Sequence, residues 1–577
     1  MLHRLLESRL QAAVAAVLPD ADPAAVLVRP CPEPKFGDYQ SNALMSLAKT
    51  RGQNPRALAA AVVGKLEVSD LCELVEVAGP GFLNFHLRPE ALVAALQAAA
   101  RGEHLFFRPA ARPRTVVVDF SSPNVAKPMH VGHIRSTILG DCLARVLRLL
   151  GHRVITDNHL GDWGTQFGKL IVGWKQHRDD AALARDPVAE MERLYRLVHQ
   201  ASERDPAVLE AARRELVKLQ QGDPENLAIW QQMLELSRAQ FDAIYRRLGV
   251  RFDYTLGESF YNPRLRAVVD ELVARGIARE SDGAQVVFFE DDPELRAHPA
   301  IIQKSDGAAN YATTDLATLA YRLETWRPDE IIYVTDGRQQ LHFKQIFAIF
   351  RRWHPEARVV LAHVWFGSIL GEDGKPFKTR AGETIKLADL LDEAEARAFR
   401  LVSEKNPALP EAERRAIARQ VGLGALKYQD LLPNRQSDYV FNWDKMLALS
   451  GNTAPYLQYA YTRIRSIFRK LAEAGEPWDL RAAAPQLLPA APAERALARQ
   501  LLYFGHTLEA VATEYRPNYL CNYLYELAGR FTEFYEACPV LKEAGATRTR
   551  RLALCELTAR VLQTGLHALG IETPERM

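Results

Sequence analysis

Cysteine is scarce in this chain, with six in 577 residues at positions 31, 72, 142, 521, 538 and 555. None forms a Cys-x-x-Cys pair, which argues against zinc and against a disulfide framework and makes a reducing compartment, the cytoplasm, the expected location. No run of about 18 apolar residues occurs, so no membrane span is expected. Residues 1–17 carry Arg4, Glu7, Arg9 and Gln11 among apolar positions and read as an amphipathic helix, not a signal peptide. Charge of one sign is not in excess either: 73 basic against 71 acidic side chains leaves +2, so a nucleic-acid partner has to be argued from local patches. A P-loop is missing, because Gly168-Lys169 is followed by Leu170, and no Gly-x-Gly-x-x-Gly opens a helix. His354-Pro355-Glu356 imitates half of a deaminase zinc motif without the Pro-Cys-x-x-Cys that completes it.

What is present begins with length. A chain of 577 residues is too long for one core, and about three or four domains are expected. Its 48% hydrophobic and 25% charged residues exclude disorder as the main state. The local signal with most chemistry in it is Ser121 through His133. A β-branched run from Thr115 to Phe120 predicts a buried strand before it, and helical spacing from Ile134 to Leu150 predicts a helix after it. His130, Val131, Gly132 and His133 therefore open a helix, where unpaired N–H groups and the dipole favour phosphate. Gly132 would let a flat base or ribose approach the backbone. The plainer reading is an N-capping pair or half of a metal site.

Residues 1–110 read as a small α+β domain: helices to Leu18, over 43–49 and over 55–66, then a strand within 75–87 whose Phe82, Asn84 and His86 alternate with an apolar face. Prolines 109 and 113 mark a linker. From Thr115 strands and helices alternate as in a parallel sheet, interrupted by a long charged helical stretch at 181–248. Further elements are expected at 284–289, 312–323, 331–334, 341–353 and 359–365. Next comes a glycine-bounded loop holding Lys375, Lys378 and Arg380, which reads either as a solvated turn or as a mobile cover for polyphosphate. The remainder is helical, and residues 456–471 mix Arg463, Arg465, Arg469 and Lys470 with tyrosines. That mixture suits unpaired RNA bases, although tyrosines at helical spacing are more often core.

The wording around these motifs resembles the arginyl-tRNA synthetases of class I. The resemblance rests on His130-Val131-Gly132-His133, Ser122-Pro123-Asn124-Val125-Ala126-Lys127, the run from Asn158 to Gly168, Ser450 to Tyr456 and the ending Pro574-Glu575-Arg576-Met577, and it covers essentially the whole chain. It implies a multidomain protein: a tRNA-elbow domain at 1–110, a Rossmann-like α/β catalytic domain at 111–370 with an insertion at about 176–305, a basic-loop and stem-contact region at 371–449, and an all-α anticodon-binding domain at 450–577. It implies ATP with Mg²⁺, arginine and tRNA as partners, no zinc, a cytoplasmic monomer, and activation that waits for tRNA. ATP is expected at His130, Val131, Gly132 and His133, with Lys127, Lys375, Lys378 and Arg380 as catalytic cations. The loop is not a literal KMSKS and aligns in more than one way, so Lys378 and Arg380 both stand as its second cation. Asp119, Tyr311 and Asp315 match positions that receive the guanidinium. Asn124, His159 and Gln339 match those around the amino and carboxylate groups, and Asn84, Phe85, Arg463 and Arg465 are the expected tRNA contacts. A planar fork of donors suits paired carboxylate acceptors, which agrees with the acidic set; for Asp315 alone, a dipole-stabilised first-turn carboxylate is the plainer reading. Another class I synthetase would share both loops and differ in the amino acid exchanged. A smaller nucleotidyltransferase would leave the helical domain without a task, and a decayed RNA-binding relative would have lost the histidines.

Overall fold

The computed structural model describes residues 1–378 and 384–577. The chain groups into two bodies, one formed by Met1–Ala110, Lys405–Val421 and Leu447–Met577, the other by Ala111–Glu404 and Gly422–Met446. In the first, Leu6, Leu10, Ala13 and Val14 form the buried stripe of α1 (Leu2–Val17), as its amphipathic sequence predicts. The chain continues through β1 (Arg29–Pro30), β2 (Tyr39–Ser41), α2 (Ala43–Thr50), α3 (Pro55–Val63), β3 (Cys72–Ala78), β4 (Phe82–Leu87) and α4 (Pro89–Ala100). The strands make an antiparallel sheet ordered β1-β2-β4-β3.

The stretch expected as one strand is thus a hairpin, turned at Gly79 and Gly81, both at positive φ. On its polar face Phe82 and His86 are half-exposed and Asn84 is buried. β4 lies between β2 and β3; Asn84 is 1% exposed and accepts a 2.9 Å hydrogen bond from Gln40, and Phe85 is 0% exposed in the core. The structure thus places the two expected tRNA contacts, Asn84 and Phe85, inside the sheet's core; sequence alternation identified the strand but not what covers it.

The second body is built on β5 (Thr115–Asp119), α5 (Val131–Leu149), β6 (Arg153–Asp157) and α6 (Gln166–His177). An inserted bundle follows: α7 (Asp180–Arg185), α8 (Pro187–Arg204), α9 (Pro206–Gln220) and α10 (Pro224–Leu248). Asp186, Asp205 and Asp223 each cap a helix whose first residue is proline, a pairing that satisfies one orphan N–H and removes another. Then come α11 (Glu258–Ala274) and a small antiparallel sheet of β7 (Arg279–Ser281), β8 (Ala284–Val287) and β9 (Ala300–Gln303), of which only β8 was expected from the sequence. The α/β pattern resumes in α12 (Tyr311–Trp326), β10 (Glu330–Tyr333), α13 (Gln340–Trp353) and β11 (Val360–His363). The main sheet is parallel in the order β11-β10-β5-β6. Val116, Val117 and Val118 run fully buried through β5, as an inner parallel strand requires. Its carboxyl edge is where β5, β6 and β10 release the loops discussed below, the usual ligand edge of such sheets.

β12 (Ile369–Leu370) pairs with β13 (Tyr439–Val440), and α14 (Leu387–Lys405), α15 (Glu411–Leu431) and α16 (Trp443–Met446) lie near them in sequence. The closing helices are α17 (Ala454–Glu473), α18 (Leu480–Ala483), α19 (Pro492–Leu502), α20 (Phe504–Glu514), α21 (Asn518–Ala537) and α22 (Gly545–Ala568). Within α17 the basic and aromatic residues are largely used internally. Tyr461 is core, Arg463 lies 4.4 Å over the Tyr535 ring, and Arg465 pairs with Glu575 at 3.2 Å and Glu556 at 3.7 Å. Arg463 and Arg465 are both half-buried, the first stacked on a ring and the second paired with two carboxylates.

Candidate active site

The loop from β5 to α5 is strained and held from several sides. Ser121, Ser122 and Ala126 all have positive φ, at +74°, +49° and +61°. Such a conformation costs a residue with a side chain of order 1–3 kcal/mol and persists only where the surroundings over-determine it. The surroundings do so here. Ser121 N–H donates to Ser136 Oγ, and its hydroxyl bonds Thr137 and Tyr245, each at 2.8 Å. Ser122 N–H donates to Asn158 Oδ1, and Ala126 N–H to Ser237 Oγ, both at 3.0 Å. Val125 N–H donates to the Gly161 carbonyl at 3.0 Å and Gly161 N–H to that of Pro123 at 3.1 Å, so Asn124 sits against Gly161, where a Cβ would meet Asn124 Oδ1 at 2.1 Å. Ser237 and Tyr245 belong to α10, so the inserted bundle grips the loop directly.

His130 is the N-cap of α5. Its Nδ1 accepts from Gly132 N–H at 3.0 Å, and His133 Nδ1 accepts from His130 N–H at 3.1 Å. The plainer reading of these histidines is therefore true, and it has a chemical consequence. With each Nδ1 an acceptor, a neutral ring carries its proton on Nε2 and can donate there. Both rings are held neutral: burial, then Lys127, lowers the His130 pKa, and burial, then His130, pushes His133 down to about 3. Gly132 serves a purpose other than expected, since a Cβ there would meet the His130 ring at 2.8 Å; the close neighbour is the capping histidine itself.

Beside this turn lies a cavity of about 430 Å³ lined by Lys127, His130, Tyr195, Arg196, Thr384 and Lys386 together with Glu192. Chain beyond the basic loop closes one wall: Val131 N–H donates to the Ile385 carbonyl and Leu387 N–H to that of Met129, each at 2.9 Å. Lys127 lies 5.6 Å from the Tyr195 ring centroid, and Arg196 pairs with Glu192 one turn earlier on α8 at 2.6 Å. Lys375 and Lys378 are exposed and do not line this cavity; Lys375 sits in a turn whose N–H donates to Asp373. Arg380 lies outside the described residues. The cations that sequence reasoning missed are Lys386 and Arg196, and neither stands in a recognisable motif.

The acidic side is made by the ends of β5, β6 and β10 with α12. Asp119 and Asp157 are register partners. Arg322 lies between them, with its Nη2 2.6 Å from Asp119 Oδ2 and 2.9 Å from Asp157 Oδ2. Asp119 is thus already engaged, a departure from the open guanidinium receptor expected of it. Tyr311 opens α12 and is 67% exposed. Asp315, one turn on, accepts from His342 Nε2 at 2.5 Å. His159 packs 5.6 Å from the Tyr261 ring, and Gln339 is exposed in the turn after β10. Glu258, at the start of α11, was not foreseen; burial, then Asp315 and Asp162, pushes its pKa up to about 8. Among the described residues no group of three or more His, Cys, Asp or Glu is arranged to hold a metal.

The comparisons agree along the whole chain. Residues 96–443 match the family "tRNA synthetases class I (R), catalytic domain", residues 457–577 the "DALR anticodon binding domain" and residues 4–87 the "Arginyl tRNA synthetase N terminal domain". The chain is 49% identical to the arginine–tRNA ligase of Laribacter hongkongensis with 100% of both covered, and 47% identical to that of Escherichia coli with 99% of both covered. The solved arginyl-tRNA synthetase of Thermus thermophilus superposes with a TM-score of 0.84 at 29% identity, covering 100% of both chains. That of Plasmodium falciparum gives 0.84 and 29%, covering 100% of this chain and 99% of its own. The histidine turn, the strand order around it and these matches over all three segments have one meaning: the chain belongs to the arginyl-tRNA synthetases of class I, the ATP-dependent ligases that charge tRNA with arginine.

Proposed function

We propose that adenylation takes place between the two unlike sides of the histidine turn. The observation that carries this is the capping pair, which leaves Nε2–H of each neutral ring as a donor, with His130 lining a cavity that also holds Lys127, Arg196 and Lys386 and the His133 ring 4.0 Å from that of His130. ATP enters as its Mg²⁺ complex with its phosphates at this cavity. Arginine lies on the acidic side, its guanidinium read by Asp315 and Tyr311 and its amino and carboxylate groups by Asn124, His159 and Gln339. A carboxylate oxygen of arginine attacks the α-phosphate, and the bond to pyrophosphate breaks. A ribose hydroxyl of the terminal adenosine of tRNA then attacks the aminoacyl carbonyl, and AMP leaves. No side-chain nucleophile is needed; the protein orients the groups and stabilises charge as it develops.

Activation waits for tRNA in this reading, because α10 grips the signature loop through Ser237 and Tyr245 and an acceptor end bound at the insertion would bear on that loop. Residues 450–577 take the anticodon arm and 1–110 the elbow. The protein works as a cytoplasmic monomer in this reading, as the family resemblance implies; its six cysteines are buried and free, and no helix among the described residues is long and apolar enough to cross a membrane. The test is ATP–pyrophosphate exchange with each amino acid, with and without tRNA. Exchange is expected with arginine and only when tRNA is present. Exchange with another amino acid would refute the specificity, and exchange without tRNA would refute the coupling.

A further inference from the structure

The substrate's guanidinium is not the only one at the acidic side. Arg322 is 0% exposed, on α12, seven residues after Asp315 and so on the same helical face. Its Nη2 spans Asp119 and Asp157 at 2.6 and 2.9 Å, and its guanidinium carbon lies 5.3 Å from the ring centroid of Tyr333. Tyr333 is the register partner of Asp119 on the opposite side, so one side chain ties the ends of three adjacent strands to the helix that carries Tyr311 and Asp315. The other oxygen of Asp119 accepts from Ser122 Oγ at 3.2 Å, and Ser122 belongs to the strained signature loop. A bidentate pair with the substrate would need both oxygens of one carboxylate. Both oxygens of Asp119 are taken from within.

We propose that Arg322 is the positioning residue of arginine recognition, an internal guanidinium that occupies Asp119 and Asp157 so that the substrate's own fork is received at Asp315 and Tyr311. This rests on the reading of the acidic side as the arginine pocket. Asp119 then acts as a tether between the pocket and the signature loop. Without Arg322 two buried carboxylates would face each other uncompensated, and Asp119 would become a second, misplaced receptor for a cation.

Arginine dependence of tRNA-supported ATP–pyrophosphate exchange tests this on the full-length protein. Arg322→Ala is expected to raise the arginine KM on the order of 100-fold, the scale of breaking a buried pair, while the ATP KM stays at the parental value. Millimolar guanidinium chloride should restore exchange in Arg322→Ala by filling the vacated place, yet inhibit the parent by competing with arginine. Arg322→Lys keeps the charge without the fork; it should retain the parental unfolding temperature and still raise the arginine KM about tenfold. Parental arginine KM in Arg322→Lys, or no restoration of folded Arg322→Ala by guanidinium, would each overturn the proposal. If Arg322→Ala does not fold, Arg322→Lys decides. A parent that fails to exchange with arginine would refute the pocket reading itself, a separate result.

Discussion

The two sides of the histidine turn hold charge in opposite ways. On the acidic side Asp119, Asp157 and Arg322 are buried and paired, and Asp315 is hydrogen-bonded to His342. On the phosphate side the Arg196 side chain is 60% exposed, and neither Lys127 nor Lys386 forms an ion pair among the described residues. Burial explains the difference: an unpaired charge inside a protein costs several kcal/mol, so a buried recognition pocket must be built already compensated. Solvated cations carry no such demand, are screened until a ligand displaces water, and act most when an anion arrives. The acidic side is therefore shaped before arginine binds, and the basic side takes its working form with ATP.

The largest effect is expected where the two sides meet. His130→Asn keeps an N-cap acceptor but deletes the Nε2–H donor, so it separates the structural role from the chemical one. Single-turnover adenylation in the presence of tRNA should fall about 10²–10³-fold, the scale of removing one oriented donor to developing charge. The unfolding temperature and the arginine KM should change little. Normal turnover in this variant would leave the histidine as a cap only.

A smaller effect is expected from the solvated cations. Lys386→Ala and Arg196→Ala should each raise the ATP KM about tenfold, on the order of one charge-assisted hydrogen bond. Because Arg196 is exposed and Lys386 only half-buried, the loss should shrink as salt rises, most for Arg196, whereas the consequence of losing a paired buried group should not. Measuring ATP KM across ionic strength checks this; equal losses at low and high salt would erase the distinction between the two sides.

How much of this contrast was legible in the sequence follows from how local each feature is. Strand, turn and helix around His130 lie within 35 residues of chain and were readable from β-branched content and helical spacing, as was the parallel sheet with its insertion. The pairing of Arg322 with Asp119 spans 203 positions and leaves no periodic trace. Lys386 carries no sequence signal because it lies outside the run of cations from Lys375, and only backbone pairing brings its segment to the turn. Asn84 shows the same limit: alternation reveals a strand, but only the neighbouring strands decide whether its polar face sees solvent.

The mildest test concerns a group on the acidic side that remains uncompensated. Glu258 has no cationic partner among the causes acting on it; burial dominates, Asp315 and Asp162 add to it, and only a backbone N–H from Trp163 opposes them. Its carboxyl, pushed up to about 8, keeps its proton in the folded protein while the unfolded chain has lost it above the ordinary value near 4.5. Between those two pH values the folded state binds more protons than the unfolded state. Stability from this group is therefore full below the unfolded pKa and declines as pH rises towards 8, after which the slope ends. Glu258→Gln should flatten that decline and stabilise the protein at pH 8 by roughly 2 kcal/mol, less than the full shift because the group is partly exposed. Unfolding followed at pH 5 and pH 8 for parent and variant checks it. If the parent's decline survives the substitution, the uncompensated carboxyl is elsewhere, and the acidic side is as fully paired at α11 as it is at Arg322.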